Sequence, residues 1–233
     1  MQSPFHVYHD SFLDVLGAEP KLTIFAEDTT KFFAHESGIW IEATNEIFFT
    51  SNQIIDETGK KNISLYKLNL SKPGTVECLD NTEGGQNSTM LNGGTNHPDG
   101  GLIFCQQGNM EVQSAIIYMS SKPPYKTHHI VNSFNGRPFS SVNDVVVHPE
   151  DGSIWFTDPS YGNAGGWRPE PSLPPVVYAF MPPTGEIRVV ADGFFRPNGI
   201  TFSPDLKKCY ITDTGAGHGD GFTFEWGTKP ATM

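Results

Sequence analysis

The chain has few cysteines and no pattern among them. Its 233 residues include three, Cys78, Cys105 and Cys209, and none of these is paired at the two-residue spacing of a zinc or redox motif. An odd number without a pattern is typical of free, buried thiols in a reducing compartment, and it disfavours both a disulfide framework and a zinc site. The sequence therefore predicts a cytoplasmic protein.

Segments that direct a chain into a membrane are also lacking. The N-terminal residues MQSPFHVYHDSF have no basic region followed by an apolar core, which a signal peptide requires. No apolar run approaches the roughly 20 residues of a transmembrane helix. Positive charge is scarce as well, because 15 Lys and Arg stand against 26 Asp and Glu, a net charge of -11. We expect neither a membrane nor a nucleic-acid partner, and the acidic groups are available for a cation.

Glycine, proline and aromatic residues are plentiful, and long helix-forming runs are few. The chain has 24 Gly, 18 Pro and 12% aromatic residues. This composition favours many short strands joined by tight turns, that is, an all-β protein. Alternation of apolar and polar residues also predicts an isolated early strand at Lys21–Glu27, and residues 52–62 are polar and typical of a loop.

One sequence pattern is written twice in the second half of the chain. In Ser140–Gly162, Asn143 and Asp144 precede a strand at Val145–His148, a Pro-Glu-Asp-Gly turn follows, and Ser153–Asp158 returns as a second strand. The same order recurs in Arg196–Gly215, where Asn198 and Gly199 precede the first strand. Looser copies begin at Glu36 and Asn92, so the four starting residues are spaced by 56, 51 and 55 residues.

A period near 50 residues with about four strands per unit is the signature of a β-propeller blade. The predicted units are an N-terminal segment 1–35, blade one at 36–91, blade two at 92–142, blade three at 143–197 and a partial fourth blade at 198–233. In the N-terminal segment, the Lys21–Glu27 strand has the place of the strand that closes a propeller ring.

Residues just before the first strand of each blade converge on one mouth of the central channel. A carboxylate from Glu36 and amide oxygens from Asn92, Asn143 and Asn198 would meet there. Hard oxygen ligands of this kind suit Ca²⁺ or another divalent cation that prefers oxygen. Each Asn could instead serve its local turn, as Asn commonly does before Gly or Asp.

Other polar residues have more ordinary interpretations. Asp158 and Asp213 fall at the same place in two repeats, where capping a turn is favoured over metal binding. His35 and His97 could carry protons, although a solvated histidine is the commoner case. Trp155 and the pair Phe194 and Phe195 are interpreted as core between blades.

Two motifs carry a family resemblance: SVNDVVVHPEDGSIWFTDPSYG and RPNGITFSPDLKKCYITDTG, with Glu36 four residues before Trp40. The chain resembles the gluconolactonase, senescence-marker-protein (regucalcin) and luciferin-regenerating-enzyme family, and is closest in appearance to bacterial-type gluconolactonases. The resemblance implies a six-bladed propeller with one divalent metal at the channel mouth, Ca²⁺ first, with Zn²⁺ or Mg²⁺ as alternatives. Glu36 and Asn198 would be metal ligands, Asn143 would ligate the metal or bind substrate, and Asn92 is a further substrate-binding candidate.

The function implied is metal-dependent hydrolysis of a small-molecule sugar lactone. Two alternatives stay open: another metal-dependent esterase, acting on aryl esters or organophosphates, and a non-catalytic propeller that binds a partner. The family's remaining ligand and candidate base is an Asp in a later PDG-like motif. No such motif follows residue 215, so the catalytic residue is unassigned.

Length predicts an incomplete ring. Six blades need roughly 300 residues, and the chain has 233. We therefore expect a C-terminally truncated propeller, an open arc of about four blades, with impaired activity. In this arc Lys21–Glu27 would lack its sheet, while Glu36, Asn143 and Asn198 would still share one rim.

Overall fold

The computed structural model describes residues 5–55, 59–80, 89–219, 224–226 and 232. The helices of these residues are short: α1 (Ser11–Leu16) and α2 (Tyr161–Ala164). The strands, in chain order, are β1 (Glu36–Ile41), β2 (Glu46–Thr50), β3 (Ile54–Ile55), β4 (Lys61–Asn62), β5 (Leu65–Asn69), β6 (Val76–Cys78), β7 (Leu91–Asn96), β8 (Leu102–Gln106), β9 (Ala115–Met119), β10 (Thr127–Val131), β11 (Ser133–Phe134), β12 (Arg137–Pro138), β13 (Val145–Val147), β14 (Ile154–Asp158), β15 (Val176–Met181), β16 (Glu186–Ala191), β17 (Pro197–Phe202), β18 (Cys209–Asp213), β19 (Gly217–Gly219) and β20 (Phe224–Trp226). The protein is all-β.

The longer strands form small antiparallel sheets that follow the sequence repeats. Three sheets have four strands each, in the orders β1-β2-β5-β6, β7-β8-β9-β10 and β13-β14-β15-β16, and β17 pairs with β18. The first strands of consecutive sheets contact one another, since β7 touches both β1 and β13, and β13 touches β17. This arrangement is consistent with a propeller-like fold whose first strands lie on the inside.

The core lies between neighbouring sheets. All five residues of β8 are buried. Its alternate side chains serve two different clusters: Leu102 and Phe104 pack with Ile39 and Phe48 of the first sheet, and Ile103 and Cys105 pack with Phe156 of the third. A strand covered on both faces has no solvent side, and this explains why Leu102–Cys105 are all apolar, while the buried Gln106 at the end of β8 donates to the Thr89 carbonyl.

The predicted strands at Val145–His148 and Ser153–Asp158 are confirmed to within one residue as β13 and β14, and four other predictions are wrong. Cys78 is exposed, although the sequence predicted buried thiols. Lys21–Glu27 forms no strand; Leu22 and Ile24 are exposed, and the Phe25 carbonyl accepts one hydrogen bond, from the Gly74 N–H at 2.9 Å. Alternation alone was insufficient there, because a strand needs a partner for its backbone groups. In the polar stretch 52–62, the described residues form the small β3–β4 ribbon. Phe195 is exposed and does not belong to the core.

The end of the described chain adds two pairings, and one of them joins β19 to β20. Asp213, the last residue of β18, forms an antiparallel bridge with Thr232. No helix in the described ranges has the length and apolar content that crossing a membrane requires. The blade boundaries and the number of blades stay predictions.

Candidate functional site

One cavity brings together four side chains that are far apart in sequence. Its volume is about 230 Å³, and Glu36, Asn92, Asn143 and Asn198 all line it. A larger cavity of about 730 Å³ lies beside Lys60 and His128 and contains none of these four. The smaller cavity is therefore the candidate site.

Backbone contacts between sheets hold the three asparagines at equivalent places. Asn92, Asn143 and Asn198 each lie two residues before a paired strand residue, and these paired residues are Gly94, Val145 and Ile200. The carbonyl of Asn198 accepts from Thr157 Oγ1 at 2.7 Å. The carbonyl of Asn92 likewise accepts from Thr50 Oγ1 at 3.3 Å and from Ser37 Oγ.

The Asn143 carbonyl completes this series. It accepts from the Gly93 N–H at 2.8 Å and from Asn92 Nδ2 at 3.3 Å. In each case the donor belongs to the preceding sheet, so every asparagine is fixed to its neighbour by its own backbone. These contacts use the backbone carbonyl of each asparagine and leave its side-chain oxygen unused.

Glu36 reaches the same cavity from a different register. It lies three residues, not two, before the paired residue Ile39, and the pairing shifts between them. Ser37, within this bulge, has a positive φ of 61°. The second and fourth sheets have the same shift, between Leu91 and Gly94 and between Pro197 and Ile200, so Glu36 occupies the first residue of its bulge whereas Asn92 and Asn198 occupy the second residue of theirs.

Burial dominates the electrostatics of the site. Loss of solvent, and then the nearby Asp144 carboxylate, raises the pKa of Glu36 to about 7. Burial also raises the pKa of Asp144, although N–H groups of Ile200 and Val145, each at 2.9 Å, oppose that shift. The pKa of His35 is lowered by burial, and its Nε2 lies 3.8 Å from Glu36 Oε1.

Several residues that line the cavity carry a buried polar atom without a hydrogen-bond partner in the described structure. These atoms are Gln53 Oε1, Gln107 Oε1, Asn143 Oδ1 and Trp167 Nε1. Buried polar atoms are almost always paired, so such a group of exceptions needs an explanation. A ligand or cation that enters the cavity supplies one.

Tyr161 and Trp167 line the cavity and were missed by the sequence reasoning. Tyr161 Oη accepts from Asn198 Nδ2 at 3.1 Å and is hydrogen-bonded to Thr214 Oγ1. Tyr161 lies in the first copy of the repeated pattern, but the matching place in the second copy is Ala216, and Trp167 lies outside both copies; this is why they were overlooked. A usable signal in the sequence was the pair of glycines, Gly165 and Gly166, directly before Trp167. In the structure a Cβ on Gly165 would lie 1.6 Å from Cζ3 of the Trp167 ring, so a side chain is excluded there.

Arg168 anchors the loop that carries these two aromatic residues. Its guanidinium is buried and donates to the carbonyls of Ser140 and Phe139 at 2.9 Å, and of Asn109 at 3.0 Å. It also donates to the Val112 carbonyl at 3.2 Å. The loop is thus attached to the turns of two different sheets.

Asp158 and Asp213 cap turns, as the sequence indicated. The Asp158 carboxylate accepts from the N–H groups of Ser140 and Ser141, at 3.0 and 2.8 Å. That of Asp213 accepts from Phe195 and Arg196, both at 2.8 Å. These carboxylates are committed to backbone groups.

The cavity residues fit an oxygen-preferring cation. Within the described residues, no three acidic, His or Cys side chains gather as a metal site, so a cation here would depend on one carboxylate and on amide oxygens. Asn143 Oδ1 is buried without a partner. Asn198 commits the Nδ2 end of its amide to Tyr161, so that its Oδ1 end remains for a ligand. Burial favours the neutral form of Glu36, and a cation in the cavity would favour the carboxylate and so gain a negatively charged ligand.

A family model described as the SMP-30/gluconolactonase/LRE-like region matches residues 35–228. The chain belongs to this family. It is 32% identical over 216 residues to lactonohydrolase oryL of Aspergillus oryzae, with 87% of this chain and 45% of that protein covered. It is 24% identical over 186 residues to a gluconolactonase of Zymomonas mobilis, with 77% of this chain and 48% of that protein covered.

A solved structure of a gluconolactonase has a similar fold. A gluconolactonase of Xanthomonas campestris superposes with a TM-score of 0.60 at 28% identity, covering 80% of this chain and 57% of that one. The chain spans about half the length of the curated relatives it matches.

Proposed function

We propose that the protein hydrolyses a sugar lactone at this cavity and depends on a divalent cation. Family membership and the named lactonohydrolase and gluconolactonase relatives support the reaction class. The observation that carries the site is Asn143 Oδ1, a buried oxygen without a partner beside the desolvated Glu36. Ca²⁺ is the first choice of cation, with Zn²⁺ or Mg²⁺ as alternatives.

Each residue has a distinct role in the proposal. Glu36, Asn143 and Asn198 hold the cation, and the Tyr161 phenol orients the Asn198 amide. When bound, the cation polarises the lactone carbonyl as a Lewis acid. Asn92 donates to the Asn143 carbonyl and so sets its position, and the remaining oxygen of its amide is available to substrate. Ile63 and Trp167, both buried, shield this side of the cavity from water.

The test is Ca²⁺ binding by calorimetry, together with hydrolysis of glucono-1,5-lactone, for the wild type, Glu36→Gln and Asn198→Ala. Both variants remove a proposed ligand, and we expect cation affinity to fall by at least about 10–100-fold, the loss typical even of residues that only support a ligand. Glu186→Gln, at an exposed position of β16, is the matched control and should bind normally.

Several results would redirect the proposal. Equal lactone hydrolysis with and without a chelator contradicts cation dependence. Hydrolysis of an aryl ester or organophosphate, but not of the lactone, favours the esterase alternative. A folded protein whose melting temperature does not rise with Ca²⁺ favours a binding module, because a ligand specific to the native state must stabilise it.

A further inference from the structure

We infer that Gln53, Gln107 and Trp167 form a subsite that recognises the hydroxyl groups of a polyhydroxylated ring. The inference rests on the proposed lactone-hydrolysing site and names the residues that would select its substrate. None of these three residues is a proposed cation ligand. Each contributes a buried polar atom without a hydrogen-bond partner in the described structure, and each lines the same cavity.

The unpaired atoms belong to side chains that can move little. Gln107 is 4% exposed and Trp167 is 8% exposed. The Trp167 backbone N–H donates to the Gly162 carbonyl at 2.9 Å. Lys61 Nζ lies 4.7 Å from the centroid of the Trp167 ring and 3.3 Å from the Gly165 carbonyl. The indole N–H is therefore a fixed, buried donor in a side chain that lines the cavity.

The same wall also has an apolar surface. Trp167 clusters with Ile63 and Met90, and Tyr161 packs against this cluster. A sugar ring presents the complementary pattern, with hydroxyl groups around its edge and C–H groups on its faces. The aromatic surface suits such a face, and the polar atoms suit the edge.

Water alone could satisfy these atoms, since a cavity of about 230 Å³ has room for several molecules. A ligand then binds the subsite by exchanging its hydroxyl groups for bound water. A hydroxyl both donates and accepts, so it replaces water at a Gln amide or at the indole N–H without loss of hydrogen bonds. A ring without hydroxyls displaces the water and leaves the protein atoms unpaired, and sites of this kind reject such analogues strongly.

The experiment separates ring recognition from catalysis. The probe is 1,5-anhydro-D-glucitol, a hydroxylated six-membered ring without an ester carbonyl, and tetrahydropyran is the same ring without hydroxyls. Binding of each is measured by ligand-observed NMR for the wild type, Gln107→Met and Trp167→Phe. We expect the wild type to bind only the hydroxylated ring, and each variant to bind it about five- to tenfold more weakly, the value of one hydrogen bond.

Two controls match the variants. Gln113→Met changes a glutamine whose Nε2 donates to the Asn132 carbonyl at the exposed surface, and Trp40→Phe changes an exposed indole bonded to Asn45. Neither should alter binding. Circular dichroism verifies that each variant is folded, and Gln107→Met serves as the decisive variant if Trp167→Phe does not fold.

Three results would contradict the subsite. Equal binding of both rings, no binding of the hydroxylated ring by the wild type, or unchanged binding in a folded Gln107→Met variant overturns the subsite. Failure of the proposed function looks different: lactone is not hydrolysed, while 1,5-anhydro-D-glucitol still binds and still loses affinity in Gln107→Met.

Discussion

Tyr161 connects the aromatic loop to a proposed cation ligand. Its hydroxyl meets Asn198 Nδ2 at 3.1 Å and also contacts Thr214 Oγ1. The Arg196 guanidinium lies 5.6 Å from the centroid of its ring. When the phenol gives its own proton to Thr214 Oγ1, its oxygen accepts from the Nδ2 end of the amide, and the Oδ1 end is left for the cavity. Tyr161 is in this sense a positioning residue.

Tyr161→Phe should therefore weaken cation binding without removing a ligand. We expect Ca²⁺ affinity, measured by calorimetry, to fall about tenfold, as is typical for partners that orient a ligand. Tyr210→Phe is the matched control, because Tyr210 is partly exposed on β18 and lies outside the cavity. Equal affinities for the two variants would show that Asn198 needs no help from the phenol.

At the scale of elements, the loop between β14 and β15 is held in place by one buried side chain, that of Arg168. Arg168 distributes its donors over four carbonyls, those of Asn109, Val112, Phe139 and Ser140. A planar guanidinium can span such a set, whereas an ammonium group cannot. Close packing reinforces the arrangement, since a Cβ on Gly162 would lie 2.2 Å from Arg168 Cγ.

Arg168→Lys should consequently destabilise the protein although the charge is retained. We expect the free energy of unfolding to fall by about 2–4 kcal/mol, because several buried carbonyls lose a charged donor. Chemical denaturation measures the change. Arg137→Lys, at an exposed position of β12, is the control and should change little. A loss for Arg168→Lys no greater than that of the control would contradict the anchoring role.

At the scale of the whole molecule, two glycines at similar places in their repeats differ in how closely the next sheet approaches them. Gly38 and Gly93 both directly precede the paired strand residue of their repeat, Ile39 and Gly94. A Cβ on Gly93 would lie 2.5 Å from the Asn143 carbonyl oxygen and 2.8 Å from Asp144 Cα. A Cβ on Gly38 would meet nothing within 4 Å.

The two glycines therefore form a matched pair for a test of how the sheets pack. Gly93→Ala should lower the free energy of unfolding by about 1–3 kcal/mol, because the added methyl overpacks a junction between sheets. Gly38→Ala should be close to neutral. Thermal unfolding of both variants measures the difference, and equal melting temperatures would show that the junction can relax. The blade number and the cytoplasmic location remain predictions.

Local sequence signals accounted for most of the strands. The predicted strands on either side of the Asp-Gly turn at 151–152 agree with β13 and β14 to within one residue. Alternation and turn residues are local properties, and they act within one hairpin. They failed at Lys21–Glu27, where the pattern is present but the described part of the chain offers no strand partner.

The sequence by itself determined the repeat, the family and the meeting of Glu36 with three asparagines around one cavity. Only the tertiary structure decided that Glu36 arrives one residue out of register, and that Gln53, Gln107 and Trp167 share its cavity. The physical reason is that these positions depend on packing between sheets. The bond from Ser37 to the Asn92 carbonyl joins residues 55 apart, and no local pattern encodes such a contact.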